Sequence, residues 1–143
     1  MCAVLERMGK EVWIVNPDPL PAQLDYLAAD TKFRVFNGGA LPSHDVAVTL
    51  DFCELSRTGP MKEPLVAAPS KKLVIDHHLF QGEPWWNAAY VDCRASATGL
   101  LVYRIARELG QEIDLRIARA VHTSIVTDTG WFKYCLLYTS RCV

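Results

Sequence analysis

The sequence predicts an α/β fold in which helices cover both faces of a mainly parallel sheet. Short apolar runs rich in β-branched residues, such as residues 46–50 and 71–75, alternate with segments whose apolar residues recur at helical spacing. Each of these two runs leads directly into an aspartate, Asp51 and Asp76. Because the carboxyl ends of parallel strands meet at one edge of the sheet, we expect ligand-binding side chains at that edge.

The remaining elements follow from the same patterns of periodicity and turn residues. Further strands are predicted over residues 11–15, 33–36, 88–91 and 124–127, and helices over residues 1–8, 21–29, 96–109 and 114–123. Ser96 is the expected N-cap of the helix 96–109, and Gly110 its stop. Residues 52–70 hold Gly59 and several prolines, so we expect a loop there with at most one turn of helix.

Composition limits the class of protein. The chain has 143 residues, half of them apolar, which is enough for one globular domain with a core. A formal charge of -1 and a pI near 6.4 do not indicate the basic surface with which proteins bind duplex nucleic acid. No apolar run approaches the roughly 20 residues of a membrane helix, so we expect a cytoplasmic protein. The five cysteines form no paired motif, which argues against a disulfide framework and a structural zinc site.

The last nine residues, 135–143, do not continue the periodicity of the preceding segment. They match the translation of a transposase-adaptor sequence used in DNA library preparation, followed by its inverse complement. We therefore interpret residues 135–143 as an adaptor-derived, non-native tail and exclude Cys135 and Cys142 from chemical arguments.

The run Asp76-His77-His78 is the strongest candidate site. Ionisable groups directly after a buried strand are costly to hide, so they should lie on the rim of the sheet. Asp51 and Asp128, which also follow strand-like runs, are expected to join them. Side chains alternate along a strand, so one histidine is expected to bind metal, the other to reach a phosphate, and Asp76 to orient an imidazole.

Carboxylate and imidazole donors fit Mn²⁺ or Mg²⁺, with Zn²⁺ and Co²⁺ as alternatives. A carboxylate can bridge two ions, and a two-metal centre activates a water while it clamps the oxygens of a phosphoryl group. The residues therefore favour metal-dependent hydrolysis of a phosphoester.

Four segments together resemble the DHH phosphoesterase family of the RecJ-like superfamily, and within it the nanoRNase-type enzymes. The segments are residues 46–57, 74–78, 92–99 and 125–134. The resemblance implies a Rossmann-like DHH domain and hydrolysis of short oligoribonucleotides or of 3'-phosphoadenosine-5'-phosphate by a two-metal-activated water. It also implies a manganese centre, with Mg²⁺ or Co²⁺ as alternatives, and a short single-stranded RNA or nucleotide as the binding partner.

The resemblance assigns roles to individual residues. Asp76, His77 and His78 would form the catalytic motif. The metal ligands would be Asp51, His77 and Asp128. The substrate-binding residues would be His78, Arg94, Ser96 and Thr98, the last two at a helix start suited to anions.

The chain also departs from the family pattern. Family members carry a first motif, a His followed by an Asp-x-Asp pair, and a C-terminal substrate-binding domain, and neither has a counterpart here. We therefore expect residues 1–134 to be a partial DHH catalytic domain that is inactive by itself. The complete protein would be a hydrolase, with a homodimer expected by analogy.

Several alternatives remain open at this stage. Within the family, these are a RecJ-like single-strand exonuclease, a cyclic-dinucleotide phosphodiesterase and a manganese inorganic pyrophosphatase. From another class, the chain could be a non-catalytic nucleotide-binding module. Trp85 and Trp86 are expected to pack a loop over the sheet rather than to stack on a base.

Overall fold

A computed structural model describes residues 1–28 and 31–133 of the chain. The strands are β1 (Ile14–Asn16), β2 (Phe33–Val35), β3 (Val46–Leu50), β4 (Lys71–Asp76) and β5 (Ala88–Val91). The helices are α1 (Cys2–Arg7), α2 (Asp25–Ala28), α3 (Lys62–Ala67), α4 (Thr98–Glu108) and α5 (Leu115–Asp128), with 3₁₀ segments at Ala22–Leu24 and Leu55–Met61. The predicted tail, residues 135–143, lies outside the described residues.

Every strand pair in the described residues is parallel, which confirms the predicted α/β class. The strands form two sheets, one of β1 and β2 and one in the order β3-β4-β5. In the larger sheet Leu50 lies opposite Ile75, and Asp76 lies opposite Val91. The carboxyl ends of β3 and β4 therefore meet at one edge, as the sequence predicts.

The core lies around the central strand β4 and helix α4. Val74 and Ile75 are buried in β4 because strands flank it on both sides. Ile75 belongs to one apolar cluster with Leu101 of α4, while Val4 of α1 joins a second cluster with residues of α4 and α5. The two clusters fix α4 and α5 relative to the edge where the strands end.

The predicted strand over residues 124–127 is wrong. These residues continue α5, which runs without a break from Leu115 to Asp128. Thr127 Oγ1 donates to the carbonyl oxygens of Thr123 and Ser124, at 2.9 and 3.0 Å, as threonines in helices do. The β-branched run has only a weak intrinsic preference against helix, and the packing of α5 against α4 overrides it.

Other boundaries also differ from the predictions. Residues 52–70 contain a 3₁₀ segment kinked at Gly59 and the helix α3, so they are more ordered than the predicted loop. The prediction that Ser96 is the N-cap of this helix is wrong. Helix α4 begins at Thr98, and its N-cap residue is Ala97, which makes no side-chain hydrogen bond. Gly110 follows the end of α4 with a φ of +67°, which confirms it as the stop.

The two strands of the smaller sheet and the helix between them are shorter than predicted. The strand predicted over residues 11–15 begins only at Ile14. The helix predicted over residues 21–29 is a 3₁₀ turn followed by α2, and residue 29 lies outside the described residues.

Gly99, near the start of α4, lies against α5. Its N–H donates to Ser124 Oγ at 3.1 Å. A Cβ at position 99 would lie 2.6 Å from Ser124 Cβ and 3.3 Å from the Val121 carbonyl oxygen. Since real Cβ atoms do not approach so closely, only glycine allows this contact between the helices.

Gly99→Ala is therefore expected to lower the free energy of unfolding by about 1–2 kcal/mol, because overpacking outweighs the gain in helix propensity. Urea denaturation measures this cost. In a double-mutant cycle, Ser124→Gly should make the same alanine substitution less costly. An equal cost in both backgrounds would contradict the steric account.

Candidate metal centre

Asp51 lies directly after β3 and begins the site. Its backbone is left-handed, with a φ of +73°, a conformation that aspartate tolerates better than most residues. Its N–H donates to the carbonyl oxygen of Ile75 at 3.0 Å, and Thr98 Oγ1 donates to Asp51 Oδ1 at 2.8 Å. The carboxylate is thus held between the end of β4 and the start of α4.

Asp76 ends β4 and is fully buried. Its Oδ1 accepts hydrogen bonds from the backbone N–H groups of His77 and His78, at 2.8 and 3.2 Å, and from His78 Nδ1 at 2.7 Å. The expected role of Asp76 in orienting an imidazole is therefore supported by the geometry. The same bonds turn the chain sharply as the strand ends.

This turn overrides the alternation expected for a strand. The rings of His77 and His78 lie in an edge contact, with centroids 4.3 Å apart, instead of on opposite faces. The strand ends at Asp76, so the opposite placement that a continuing strand would give the two histidines does not apply.

The environment of Asp76 favours its charged form. Burial raises the pKa of this carboxyl, but the hydrogen bonds from His78 and from the Cys53 thiol outweigh burial and lower it below the usual value. Asp76 Oδ2 makes no hydrogen bond of normal geometry among the described residues. Burial and the neighbouring Asp76 carboxylate raise the pKa of Cys53 to about 12.

His77 is oriented toward two carboxylates. Its Nδ1 lies 3.1 Å from the carbonyl oxygen of Ala95, so Nδ1–H donates there and Nε2 keeps a free lone pair. Nε2 lies 3.5 Å from Asp51 Oδ1 and 3.7 Å from Asp128 Oδ2. The imidazole therefore presents a ligand atom between the two acidic groups.

Asp128 is the last residue of α5, not the end of a strand, and still reaches the predicted position. Burial, and then the negative charge of Asp51, raise the pKa of the Asp128 carboxyl, although His77 and His78 partly offset the rise. The C-terminus of a helix also carries partial negative charge. A cation between Asp51 and Asp128 would relieve this repulsion.

The donor set fits a divalent cation. Ligand atoms of Asp51, His77 and His78 all lie within 4.8 Å of one another. For bonds of about 2.1 Å, two ligands of one ion are separated by about 3.0 Å at right angles and about 3.6 Å at 120°. The distances from His77 Nε2 to Asp51 Oδ1 and to Asp128 Oδ2 agree with this separation, whereas Asp128 is not part of the group of three whose ligand atoms all lie close together. Carboxylate oxygen with imidazole nitrogen suits the metals expected from the sequence.

The predicted substrate-binding residues lie in different surroundings. Thr98 is buried and bonded to Asp51, and Ser96 is half-buried in the turn before α4. Arg94 is exposed and pairs with Asp92 at 3.0 Å. The assignments of His78, Arg94, Ser96 and Thr98 to substrate stay predictions.

Two features of the site were missed by sequence reasoning. His78, expected only to reach a phosphate, also lies among the possible metal-ligand atoms. Cys53 contacts the buried carboxylate from the loop after β3, and its position two residues beyond Asp51 was the only signal in the sequence.

The sequence and the fold are similar to those of two known proteins. The chain is 32% identical over 133 residues to the bifunctional oligoribonuclease and PAP phosphatase NrnA of Thermus thermophilus, covering 91% of this chain and 37% of that protein. It is similar in structure to an exopolyphosphatase-related protein of Bacteroides fragilis, with a TM-score of 0.79 and 26% identity, covering 92% of this chain and 41% of the other. No protein-family model matches the chain.

Both similarities support the DHH superfamily relationship that the motifs suggest. The chain spans less than half the length of either protein.

Within the part of the chain that the structure describes, no helix has the length and apolar character needed to cross a membrane.

Asp76→Asn is expected to lower the free energy of unfolding at neutral pH by about 2–3 kcal/mol, because a buried charged acceptor of several hydrogen bonds is lost. The folded pKa of Asp76 lies below the 3.8 of a free aspartate. Its stabilisation is therefore complete above that pH and is lost as the pH falls through the folded value.

Urea denaturation at several pH values tests this expectation. The asparagine variant should lose part of the acid dependence seen in the native chain. Asp18→Asn, at an exposed aspartate in the turn after β1, serves as the control and should leave stability unchanged. Equal stability of the Asp76 variant and the native chain at neutral pH would contradict the role assigned to this carboxylate.

Proposed function

We propose that this chain provides the Asp-His-His part of the active site of a metal-dependent phosphoesterase of the DHH type. The observation that carries the proposal is the position of His77 Nε2 between the carboxylates of Asp51 and Asp128. The similarity to an oligoribonuclease and PAP phosphatase supports it independently.

In this proposal Asp51, His77 and Asp128 hold the cation, for which we propose Mn²⁺, with Mg²⁺ or Co²⁺ as alternatives. The cation would supply Lewis-acid chemistry, lowering the pKa of a water and neutralising charge on phosphoryl oxygens. Ala95 fixes the ring of His77, and Thr98 fixes the carboxylate of Asp51. These contacts reduce the reorganisation needed when the site is loaded.

His78 is suited to contact the substrate phosphate. Its side chain is 48% exposed, while Asp76 holds its Nδ1. In its charged form the ring can donate from Nε2–H to a phosphate oxygen. Asp76 therefore acts as a positioning residue, through His78 and the turn.

The proposed substrates are short oligoribonucleotides and nucleotide 3'-phosphates, in keeping with the name of the Thermus thermophilus protein. Polyphosphate is the second candidate, since the Bacteroides fragilis protein is described as exopolyphosphatase-related. Both classes place a phosphoryl group at the cation, so the same centre can serve either one.

Paramagnetic broadening of the phosphorus NMR signal of AMP tests whether phosphate and cation share this site. With the chain in excess over Mn²⁺, we expect stronger broadening for the native chain than for Asp128→Asn or His77→Ala, because these variants remove ligands. His122→Ala, at an exposed histidine of α5, is the matched control and should behave like the native chain. Equal broadening by the native chain and the ligand variants would contradict the proposal.

Hydrolysis itself is tested in a chimera in which residues 1–133 replace the aligned segment of the Thermus thermophilus protein. A folded chimera should release phosphate from 3'-phosphoadenosine-5'-phosphate in a Mn²⁺-dependent reaction that His77→Ala abolishes. Absence of this activity in a chimera with native circular dichroism would count against the proposed chemistry.

A further inference from the structure

A cleft of about 430 Å³ lies between the loops that follow β3 and β4. Its volume is within the usual range for small-ligand sites. We call it the tryptophan cleft, and its principal lining residues are Glu54, Leu55, Phe80, Gln81, Glu83 and Trp85.

The walls of the tryptophan cleft are fixed by one hydrogen bond between the two loops and by aromatic contacts within the second loop. Trp85 Nε1–H donates to the carbonyl oxygen of Cys53 at 2.6 Å and ties one loop to the other. Phe80 packs against Trp86, with ring centroids 5.0 Å apart, and lies over Gly82, where a Cβ would come within 2.7 Å of its ring. The aromatic walls are thus positioned before any ligand binds.

The lining chemistry fits a nucleoside better than a phosphate. Phe80 and Trp85 offer aromatic surfaces of the kind on which bases stack. Gln81 can both donate and accept, and the carboxylates of Glu54 and Glu83 accept from amino and hydroxyl groups. No lysine or arginine stands among the described residues that line the cleft, so an anion would meet only negative charge there.

The loops that form the cleft also carry the candidate metal centre. Cys53 follows Asp51 by two residues, and Phe80 follows His78 by two residues. Cys53 interacts with the buried Asp76 on one side and, through its carbonyl oxygen, with Trp85 on the other. A ligand in the cleft therefore lies along the same sheet edge as the cation ligands.

We propose that the tryptophan cleft binds the nucleoside part of the substrate while its phosphate lies at the candidate metal centre. This inference rests on the proposed phosphoesterase function and selects nucleotides over polyphosphate. It also assigns Trp85 a role beyond the loop packing expected from the sequence.

Fluorine NMR of the chain labelled with 5-fluorotryptophan tests the inference with adenosine as the probe. The chain has four tryptophans, and Trp85→Phe assigns the signal of Trp85. Adenosine should shift the Trp85 signal in a saturable way and leave that of Trp13 unchanged. Gln81→Ala should weaken binding about 10-fold, by loss of a polar contact in the cleft. Gln23→Ala, at an exposed glutamine, should not weaken it.

The outcomes separate this inference from the function on which it rests. Asp18→Asn, at an exposed aspartate after β1, should leave the adenosine shift unchanged. Bound Mn²⁺ could broaden the phosphorus signal of AMP while adenosine leaves the fluorine signal of Trp85 unshifted. In that case the assignment of the cleft to the nucleoside is wrong and the phosphoesterase proposal stands. The assignment is equally wrong if ribose 5-phosphate reproduces the shift or if Gln81→Ala has no effect. If adenosine binds but the ligand variants do not alter phosphate broadening, the claim of a substrate subsite fails together with the proposed function.

Discussion

The carboxylate of Asp76 is buried at the end of β4, where one of its oxygens accepts two backbone hydrogen bonds and a third from His78. Such a group is costly to bury unless these bonds are made, so the strand must end in this turn. The turn brings both histidines toward the same edge of the sheet. The geometry of the site therefore depends on one residue that is not itself positioned to bind the cation.

The other candidate ligands reach this edge from separate elements. Asp51 follows the neighbouring strand β3, and Asp128 ends α5. The position of α5 depends on its close contact with α4, which Gly99 permits. Thr98, next to Gly99, bonds Asp51 at the same time. Packing between the helices is thus coupled directly to the placement of the carboxylates of Asp51 and Asp128.

Much of this arrangement could be predicted from the sequence because strands that are buried and parallel leave a clear pattern. The bounds of β3 and β5 match those predicted, and the meeting of Asp51 with the Asp-His-His run follows from strand direction alone. Asp128 was expected at this edge of the sheet because residues 124–127 were predicted to be a strand, whereas they belong to α5. The residues before Asp128 have β-branched side chains, and only the tertiary contact with α4 shows that they are helical.

The positions of individual side chains and the contacts between loops could not be predicted from the sequence. Alternation along a strand could not place His77 and His78, because it stops at Asp76 and side-chain hydrogen bonds set the turn. The contact between Cys53 and Asp76, and the cleft beside it, bring together loops that are distant in sequence. A single sequence carries no periodic signal for such contacts.

The central claim is that Asp51, His77 and Asp128 together bind a divalent cation, and Mn²⁺ titration followed by EPR tests it most directly. The account predicts saturable loss of the free-ion signal with the native chain and with His122→Ala. It predicts affinity at least about 10-fold weaker for His77→Ala and Asp128→Asn, which remove direct ligands. Equal affinity of the native chain and these two variants, or no binding by the native chain, would contradict the account.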